Sequence, residues 1–328
     1  GARLSDDERA LFRDVNPWGF ILFGRHCESA ENIRAHCDEL RACVGRDAPI
    51  LIDQEGGRVA RLKPPTFPGH APPAAFGELW RLDPAKAQAA VRLNAALIAR
   101  MLSSLGVNVN CAPSLDVPQI DADPATVGDR ALAKHPETIA ALARAALEGF
   151  VAGGVAPVIK HMPGLGRALT DSHKELPRVI ARREDLERED FAPFKALNDA
   201  KIGMTCHVLF DALDPDRPAT LSPTIVRDVI RGEIGFDGLL LTDDLKMEAL
   251  TGTYGARAKA SLAAGCDVAL MCNMTLDDKI AAAGDIPALS AAAAARARAA
   301  MAEITPADQA AAADQYAELS QLLKPVLA

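Results

Sequence analysis

The sequence lacks any long apolar run, and this absence argues against a membrane protein. No stretch approaches the roughly 18 consecutive uncharged apolar residues of a membrane-spanning helix. The segment from Gly1 to Glu8 also lacks the apolar centre of a signal peptide. Hydrophobic residues nevertheless make up 49% of the 328 residues, which is enough for a sizeable core. We therefore expect a globular, cytoplasmic protein with no membrane partner.

An excess of positive charge is also missing. Lys and Arg number 36 against 44 Asp and Glu, so the formal net charge is −8 and the pI is near 5.4. A nucleic acid or an anionic membrane surface would repel such a protein at long range. A small or neutral ligand is the better expectation.

The sequence contains neither a paired set of cysteines nor a zinc motif. Its seven cysteines are odd in number and several lie in apolar runs, so we predict reduced, mostly buried thiols. His26-Cys27 and His36-Cys37 repeat at an offset of ten residues, but this spacing matches no common zinc pattern. A helix beginning at Ser29 would also turn Cys37 away from Cys27. We predict no metal site.

Short apolar runs alternate with longer helical patterns along most of the chain. The strand candidates are 19–23, 50–53, 107–112, 157–161, 203–209, 238–242 and 267–271. The helical patterns lie near 29–45, 84–104, 136–152, 184–199, 222–233, 246–263 and 287–303, and Ser29 and Ser222 are candidate caps. Repeated βα units of this kind predict an α/β fold, a (β/α)8 barrel of the TIM type with an irregular eighth strand.

Barrels of this type reach this length as one domain, so we predict a single catalytic domain over 1–328. The Ala-rich segment from about residue 286 is expected to form helices that pack on the barrel, since Leu289, Met301, Ile304, Leu319 and Leu322 offer apolar surface. A doubly wound open sheet is the alternative. No Gly-x-Gly-x-x-Gly follows the first strand, so its dinucleotide-binding version lacks its main signal.

Polar side chains gather where the predicted strands end. They are Asp53-Gln54-Glu55, Asp116, Lys160-His161, His207 and Asp243-Asp244. Charged groups directly after branched apolar runs would be costly inside a core, so they are expected to face a polar cleft. In a barrel the active site lies at the C-terminal ends of the strands. This placement predicts an enzyme.

Several long motifs occur in one order between about residues 17 and 273. They read Leu51-Ile52-Asp53-Gln54-Glu55-Gly56-Gly57-Arg58-Val59, Val127-Gly128-Asp129-Arg130, Lys160-His161-Met162-Pro163-Gly164, Asp171-Ser172-His173, Pro218-Ala219-Thr220-Leu221-Ser222-Pro223, Gly235-Phe236-Asp237-Gly238-Leu239 and Thr242-Asp243-Asp244-Leu245-Lys246-Met247. In these motifs the chain resembles the family three glycoside hydrolases, and within them the single-domain bacterial β-N-acetylglucosaminidases that recycle cell-wall fragments. The resemblance implies a small carbohydrate substrate, and we expect a monomer that needs no cofactor.

The resemblance implies three catalytic residues. Asp243 is the implied nucleophile, and a carboxylate at a strand end can attack an anomeric carbon and leave again. Asp244, and in the alternative interpretation Asp243 too, would instead cap the helix that starts near Leu245. The implied acid/base is His173 with Asp171, since a carboxylate can fix the tautomer of a histidine and raise its pKa. A surface turn is the alternative for this pair.

The resemblance also implies four substrate-binding residues, namely Asp53, Arg130, Lys160 and His161. Lys160 and His161 would donate hydrogen bonds to sugar hydroxyls, although a lysine at a strand end could also form a Schiff base. Asp53 and Arg130 could instead each belong to a structural ion pair. Asp116 is a weaker candidate. His207 is equally well explained as a hydrogen-bonded core histidine or as a ligand contact.

The loop after His161 departs from the family pattern. Its usual Pro-Gly-His-Gly followed by Asp-Thr is here Pro163-Gly164-Leu165-Gly166-Arg167-Ala168. Loop length is kept, so the pair that follows should still be in place, but Leu165 removes a polar contact and Arg167 should add positive charge near His173. The leading hypothesis is a retaining exo-acting β-N-acetylglucosaminidase. Phosphorolysis of the same bond and a sugar-binding barrel with reduced turnover are the alternatives.

Overall fold

The computed structural model describes residues 3–121, 123–305 and 312–327. The predicted domain also includes 1, 2, 122, 306–311 and 328, which lie outside the described residues. By its internal contacts the chain divides into two compact units. One takes the described residues up to 113, residues 144–157 and the described residues from 303 onward; the other takes those of 114–143 and 158–302. The prediction of one catalytic domain stays a prediction.

The described residues contain nine short strands. They are β1 Phe20–Leu22, β2 Ile50–Ile52, β3 Val109–Asn110, β4 Ala156–Pro157, β5 Ile159–Met162, β6 Arg178–Val179, β7 Ile202–Thr205, β8 Leu209–Phe210 and β9 Leu239–Leu241.

Longer helices separate most of the strands. The α-helices are α1 Asp6–Val15, α2 Ala30–Val44, α3 Pro73–Leu82, α4 Pro84–Ser104, α5 Pro136–Ala152, α6 Arg183–Asp185, α7 Ala192–Ala196, α8 Tyr254–Ala264, α9 Leu276–Ala283, α10 Ala291–Met301 and α11 Ala312–Leu323. Two segments, Leu186–Asp190 and Ile225–Glu233, have the wider turns of a π-helix.

The first unit is built on a four-stranded parallel sheet in the order β1-β2-β3-β4. Strand β2 is buried along its whole length, as expected for a parallel strand covered on both faces. Helix α4 packs against α3 and α11. It also approaches α5 closely, since a Cβ on Gly149 would lie 2.2 Å from the carbonyl oxygen of Arg92.

The second unit contains a parallel sheet in the order β5-β7-β9 and a separate parallel pair, β6 and β8. Strand β9 ends at Leu241 inside the core, and the next residue, Thr242, is also buried. The residues after Leu241 therefore lie at the C-terminal end of β9. Lys160 and His161 lie within β5 of the same sheet.

Local sequence signals explain where several helices begin and end. Helix α2 starts after Ser29, whose Oγ accepts a hydrogen bond from the Asn32 N–H at 3.2 Å. It ends at Val44, and the capping residue Gly45 has a φ of 64°, which suits glycine. The predicted cap Ser222 accepts from the Ile225 N–H at 3.1 Å. Both predicted caps are confirmed.

Several predicted elements need correction, among them the strand predicted over 203–209, which belongs to β7 and β8 in different sheets. The helix predicted over 246–263 exists only as α8 from Tyr254, because Arg257 Nη1 donates to the carbonyl oxygens of Leu245 and Met247 at 2.7 and 3.2 Å and holds that stretch as a turn. The strand predicted over 267–271 makes a single bridge, Leu241 to Val268. The run over 157–161 belongs to two strands, β4 and β5, in different sheets.

Helices α10 and α11 lie in the region where C-terminal helices were predicted, and their packing on the barrel stays a prediction. Not every side chain named for that packing is buried. Leu319 is buried, whereas Leu289 is exposed. The helices α1, α3 and α9 did not emerge from the sequence. Helix α1 has no buried residue, and α9 buries only Ala282.

The predicted α/β class with parallel strands is confirmed, and the strands of the described residues do not close into one hydrogen-bonded ring. All seven cysteines are free thiols and five are buried, as predicted. Within the described ranges, we find no helix with both the length and the apolar character that crossing a bilayer requires. The cytoplasmic location stays a prediction.

Candidate active site

Asp243 lies at the C-terminal end of β9, one residue beyond buried Thr242. Its side chain is half-buried, and its Oδ1 accepts a hydrogen bond from the Asp244 N–H at 2.8 Å. A carboxylate held in this way at a strand end is available to an incoming group, as a nucleophile must be. The location agrees with the predicted one, and the catalytic role stays a prediction.

Asp244 stabilises the turn that follows. Its Oδ1 accepts from the Lys246 N–H at 3.0 Å and from the Cys272 N–H at 2.9 Å. Burial raises the pKa of Asp244, and the charge of Asp243 adds to this effect. The prediction that Asp244 caps a helix near Leu245 is therefore wrong, because the chain forms a turn there. The two hydrogen bonds hold this turn and join it to the segment that contains Cys272.

His207 is a hydrogen-bonded core histidine. Its Nδ1 is 2.8 Å from Thr220 Oγ1, and its Nε2 is 3.0 Å from the carbonyl oxygen of Asp244. Because a carbonyl only accepts, Nε2 carries the proton. Burial lowers the pKa of His207, although the charge of Asp243 acts in the opposite direction. The core interpretation therefore fits, and the ring supports the backbone directly after Asp243.

His161 is buried on β5 and pairs with a carboxylate from a distant part of the chain. Its Nδ1 is 2.7 Å from Asp116 Oδ2, and its backbone N–H donates to Asp116 Oδ1 at 3.3 Å. Lys160, which is 2% exposed, precedes it, and the Lys160 carbonyl accepts from the Leu115 N–H at 2.6 Å. Asp116, a weak candidate in the sequence, is thus a direct partner of His161.

Arg130 lies in the 3-10 turn Gly128–Arg130 and reaches the same ring. Its Nη1 donates to the carbonyl oxygen of Thr126 at 2.9 Å, and its Nη2 is 3.5 Å from His161 Nε2. The structure therefore brings together two of the four predicted substrate-binding residues, Arg130 and His161, and Lys160 adjoins them in the chain.

Asp53 follows β2 in the first unit. Its Oδ2 is 2.9 Å from Arg61 Nη2, which forms an ion pair. The structural ion pair that the sequence offered as the alternative role of Asp53 is thus present. A role of Asp53 in binding sugar stays a prediction.

Asp171 and His173 are in contact, as predicted, and their acid/base role stays a prediction. His173 Nδ1 is 2.8 Å from Asp171 Oδ1, and the His173 N–H donates to the same oxygen at 3.0 Å. Partial burial opposes ionisation of Asp171, but the hydrogen bonds and charge of His173 prevail and lower its pKa. The carboxylate can therefore hold the ring while the histidine side chain, 72% exposed, stays open to solvent.

The loop that carries this pair is attached to the segment after Asp243. Ser172, which lies between Asp171 and His173 in the chain, is buried. Its carbonyl oxygen accepts a hydrogen bond from the Ala249 N–H at 3.3 Å. The pair and the candidate nucleophile are thus linked through one backbone hydrogen bond.

The contacts of Arg167 contradict the expectation that this residue adds positive charge near His173. Its Nε is 2.7 Å from Asp190 Oδ2, and its Nη2 is 2.6 Å from Glu189 Oε2. Because two carboxylates compensate the guanidinium, Arg167 does not make the surroundings of His173 more positive. Leu165 has a buried side chain, and its N–H donates to Asp116 Oδ1 at 2.7 Å. The loop departure is therefore packed and paired within the protein.

No three His, Cys, Asp or Glu side chains of the described residues are grouped so that they could hold a metal ion. His26 and His36, which raised the question in the sequence, stack on each other with ring centroids 5.1 Å apart.

Comparisons with known proteins identify the family. Residues 1–307 match the glycosyl hydrolase family 3 N terminal domain. A beta-hexosaminidase from Alkalilimnicola ehrlichii is 39% identical over 277 residues, which cover 83% of this chain and 78% of that protein.

Several solved structures are similar to this chain over almost its whole length. NagZ from Neisseria gonorrhoeae, in complex with N-trifluoroacetyl-D-glucosamine, has a TM-score of 0.87 and 28% identity, covering 99% of this chain and 94% of its own. A beta-N-acetylhexosaminidase from Beutenbergia cavernae has a TM-score of 0.71 and 29% identity, covering 99% of this chain and 93% of its own.

These matches confirm the barrel-type α/β fold class that the alternation of strands and helices predicts. They also agree with the prediction of an enzyme, which was based on the polar residues at the ends of the predicted strands. The chain belongs to glycosyl hydrolase family 3 and is a glycoside hydrolase.

Proposed function

We propose that the chain is a retaining, exo-acting β-N-acetylglucosaminidase that removes terminal N-acetylglucosamine through a covalent glycosyl-enzyme intermediate. The observation that carries the proposal is the Asp171–His173 pair, hydrogen-bonded at 2.8 Å on an exposed loop that is attached to the segment after Asp243. The relatives named beta-hexosaminidase and the N-trifluoroacetyl-D-glucosamine complex support the choice of sugar.

The first step forms the intermediate. A carboxylate oxygen of Asp243 attacks the anomeric carbon, and the bond to the leaving-group oxygen breaks. Protonated His173 transfers its proton to that oxygen, so the leaving group departs as a neutral alcohol. The ionised Asp171 stabilises the protonated ring and keeps it oriented.

The second step releases the sugar. Neutral His173 takes a proton from a water molecule, the water oxygen attacks the anomeric carbon, and the bond to Asp243 breaks. Two displacements on opposite faces return the original β configuration. Retention is thus part of the proposal and can be measured.

The substrate-binding roles follow the chemistry of the side chains. Lys160 and Arg130 donate to sugar hydroxyls, Asp53 accepts from a hydroxyl pair, and His161 offers its Nε2.

We propose cell-wall fragments of the muropeptide type as natural substrates and a monomer in the cytoplasm as the active form. Arg167, whose positive charge would have favoured phosphate near His173, is already paired with two carboxylates and does not support phosphorolysis.

The test is release of nitrophenol from p-nitrophenyl N-acetyl-β-glucosaminide, with the corresponding β-glucoside as control. We expect cleavage of the N-acetyl compound only, with β-N-acetylglucosamine as the first product seen by NMR. A parallel assay in phosphate distinguishes the alternative, because a phosphorylase would form the sugar 1-phosphate. Absence of cleavage, or an α product first, would refute the proposed function.

A further inference from the structure

The carboxylate of Asp116 lies among side-chain and backbone groups that donate hydrogen bonds to it. It is 2% exposed, and its Oδ2 accepts from Ser114 Oγ at 2.7 Å and faces His161 Nδ1 at 2.7 Å. Its Oδ1 accepts the backbone N–H groups of Leu165 at 2.7 Å and His161 at 3.3 Å. Burial would raise the pKa of Asp116, but the interaction with His161 and the other hydrogen bonds lower it below the ordinary value. The group is therefore an anion and only accepts.

The opposite nitrogen of the same ring faces a group that only donates. His161 Nε2 is 3.5 Å from Arg130 Nη2, at the outer limit of a hydrogen bond. A guanidinium has no acceptor, so a ring nitrogen that faces it must present its lone pair. A carboxylate requires the reverse, so Nδ1 must carry the proton. The two neighbours select the same tautomer from opposite sides.

We propose that Asp116 is a positioning residue that fixes His161 as the neutral Nδ1–H tautomer. The Nε2 lone pair, which Arg130 Nη2 approaches only at 3.5 Å, then accepts a hydrogen bond from a hydroxyl of the bound sugar, so His161 accepts from the sugar where the sequence predicts that it donates. The inference rests on the proposed function of His161 in binding substrate. The sugar hydroxyl must then donate, and a substrate in which it is methylated loses this bond. A site built around one such donor discriminates strongly against analogues that lack it.

Asp116→Asn should reverse the tautomer of His161 and still fill the same space with a side chain that forms hydrogen bonds. The asparagine oxygen can still accept the two backbone N–H groups, and its NH2 group then faces Ser114 Oγ and His161 Nδ1. An NH2 group donates, so Nδ1 becomes the acceptor and the ring proton moves to Nε2. There it faces the donor Nη2 of Arg130. We expect KM to rise about tenfold with a smaller change in kcat, because a binding group is mispresented.

The direct test is ¹⁵N NMR of the full-length enzyme with labelled histidines, recorded without sugar at neutral pH. His161→Gln assigns the His161 signals among the seven histidines. The wild type should show a protonated Nδ1 and an unprotonated Nε2, and Asp116→Asn should show the reverse. Ser114→Ala is the matched control, since it removes one donor to Asp116 and leaves the contact to His161 in place.

Each outcome decides the matter. A protonated Nε2 in the wild type would overturn the proposal even if Asp116→Asn does not fold, and so would an unchanged tautomer in a folded Asp116→Asn. A reversed tautomer with unchanged KM would refute the link to sugar binding. Because the spectrum needs no substrate, inactivity of the wild type on every glycoside would refute the proposed function and leave the tautomer result standing.

Discussion

At the residue scale, His173 carries the acid/base role in this account. An imidazole that protonates the leaving group matters most when that group is a poor one. We expect His173→Ala to reduce kcat/KM on a natural disaccharide by about 10²–10⁴ and on an activated nitrophenyl glycoside by much less. Measuring both substrates with each variant gives the comparison.

Asp171→Asn serves as the matched variant for this prediction. The asparagine can still accept the His173 N–H but no longer offers a negative charge to the ring, so a smaller loss with the same dependence on leaving group is expected. If His173→Ala slowed both substrates equally, His173 would not be the acid.

The sequence predicts the residues that end the strands better than it predicts their partners. Asp243 follows an apolar run and lies just beyond β9, as predicted, whereas Lys160 and His161 lie within β5. The pairing of His161 with Asp116 joins positions 45 residues apart, and that of Arg167 with Asp190 joins positions 23 apart. Such pairs depend on tertiary packing, which a local pattern does not contain.

At the element scale, the loop that carries Asp171 and His173 is anchored at several points. Arg167 binds the π-type helix through Glu189 and Asp190, and the carbonyl oxygens of Gly166 and Ala168 accept from backbone N–H groups at 3.1 and 3.0 Å. Asp190 is fully buried, and burial raises its pKa to about 6 despite Arg167. Arg167 therefore compensates a carboxylate that would otherwise be costly.

We expect Arg167→Met to lower the free energy of unfolding by about 3 kcal/mol, because it leaves a buried carboxyl without its partner. It should also lower kcat several-fold by loosening the loop. The double variant Arg167→Met, Asp190→Asn should recover most of the stability and little of the kcat. Urea unfolding and steady-state kinetics on the three proteins check this. Full recovery of both quantities together would show that the anchor does not position the loop.

The incorrectly predicted helix illustrates how one distant side chain can change an element. The stretch 246–253 has a helical pattern, yet Arg257 and Asp244 bind its backbone groups as a turn. Helical periodicity reports only which side chains are apolar. It does not report which carbonyl groups find a side-chain donor elsewhere.

At the scale of the whole molecule, buried histidines make stability depend on pH. Burial chiefly lowers the pKa of His26, to about 4, and the charge of Arg25 adds to this. Its Nδ1 accepts the Phe23 N–H at 3.0 Å, a bond that protonation would break. Between about pH 6.5 and 4 the unfolded chain binds a proton at this position that the folded chain does not. Stability is therefore complete above this window and falls as the pH falls through it.

His26→Asn keeps an acceptor at this position but does not titrate. We expect its Tm to fall less steeply than that of the wild type as the pH drops from about 6.5 to 4.5. His135→Asn, at an exposed position, is the control and should parallel the wild type. Parallel curves for all three proteins would refute the role of His26.

The central claim of the account is that Asp243 is the nucleophile, and trapping the glycosyl-enzyme tests it most directly. A fluorinated N-acetylglucosamine analogue with a good leaving group should form a stable adduct, and peptide mass spectrometry of the wild type and Asp244→Asn should locate it on Asp243 in both. Asp243→Ala should form no adduct and lose turnover on the order of a thousandfold or more. An adduct on Asp244 or Glu55, or a product of inverted configuration with no adduct, would contradict the account.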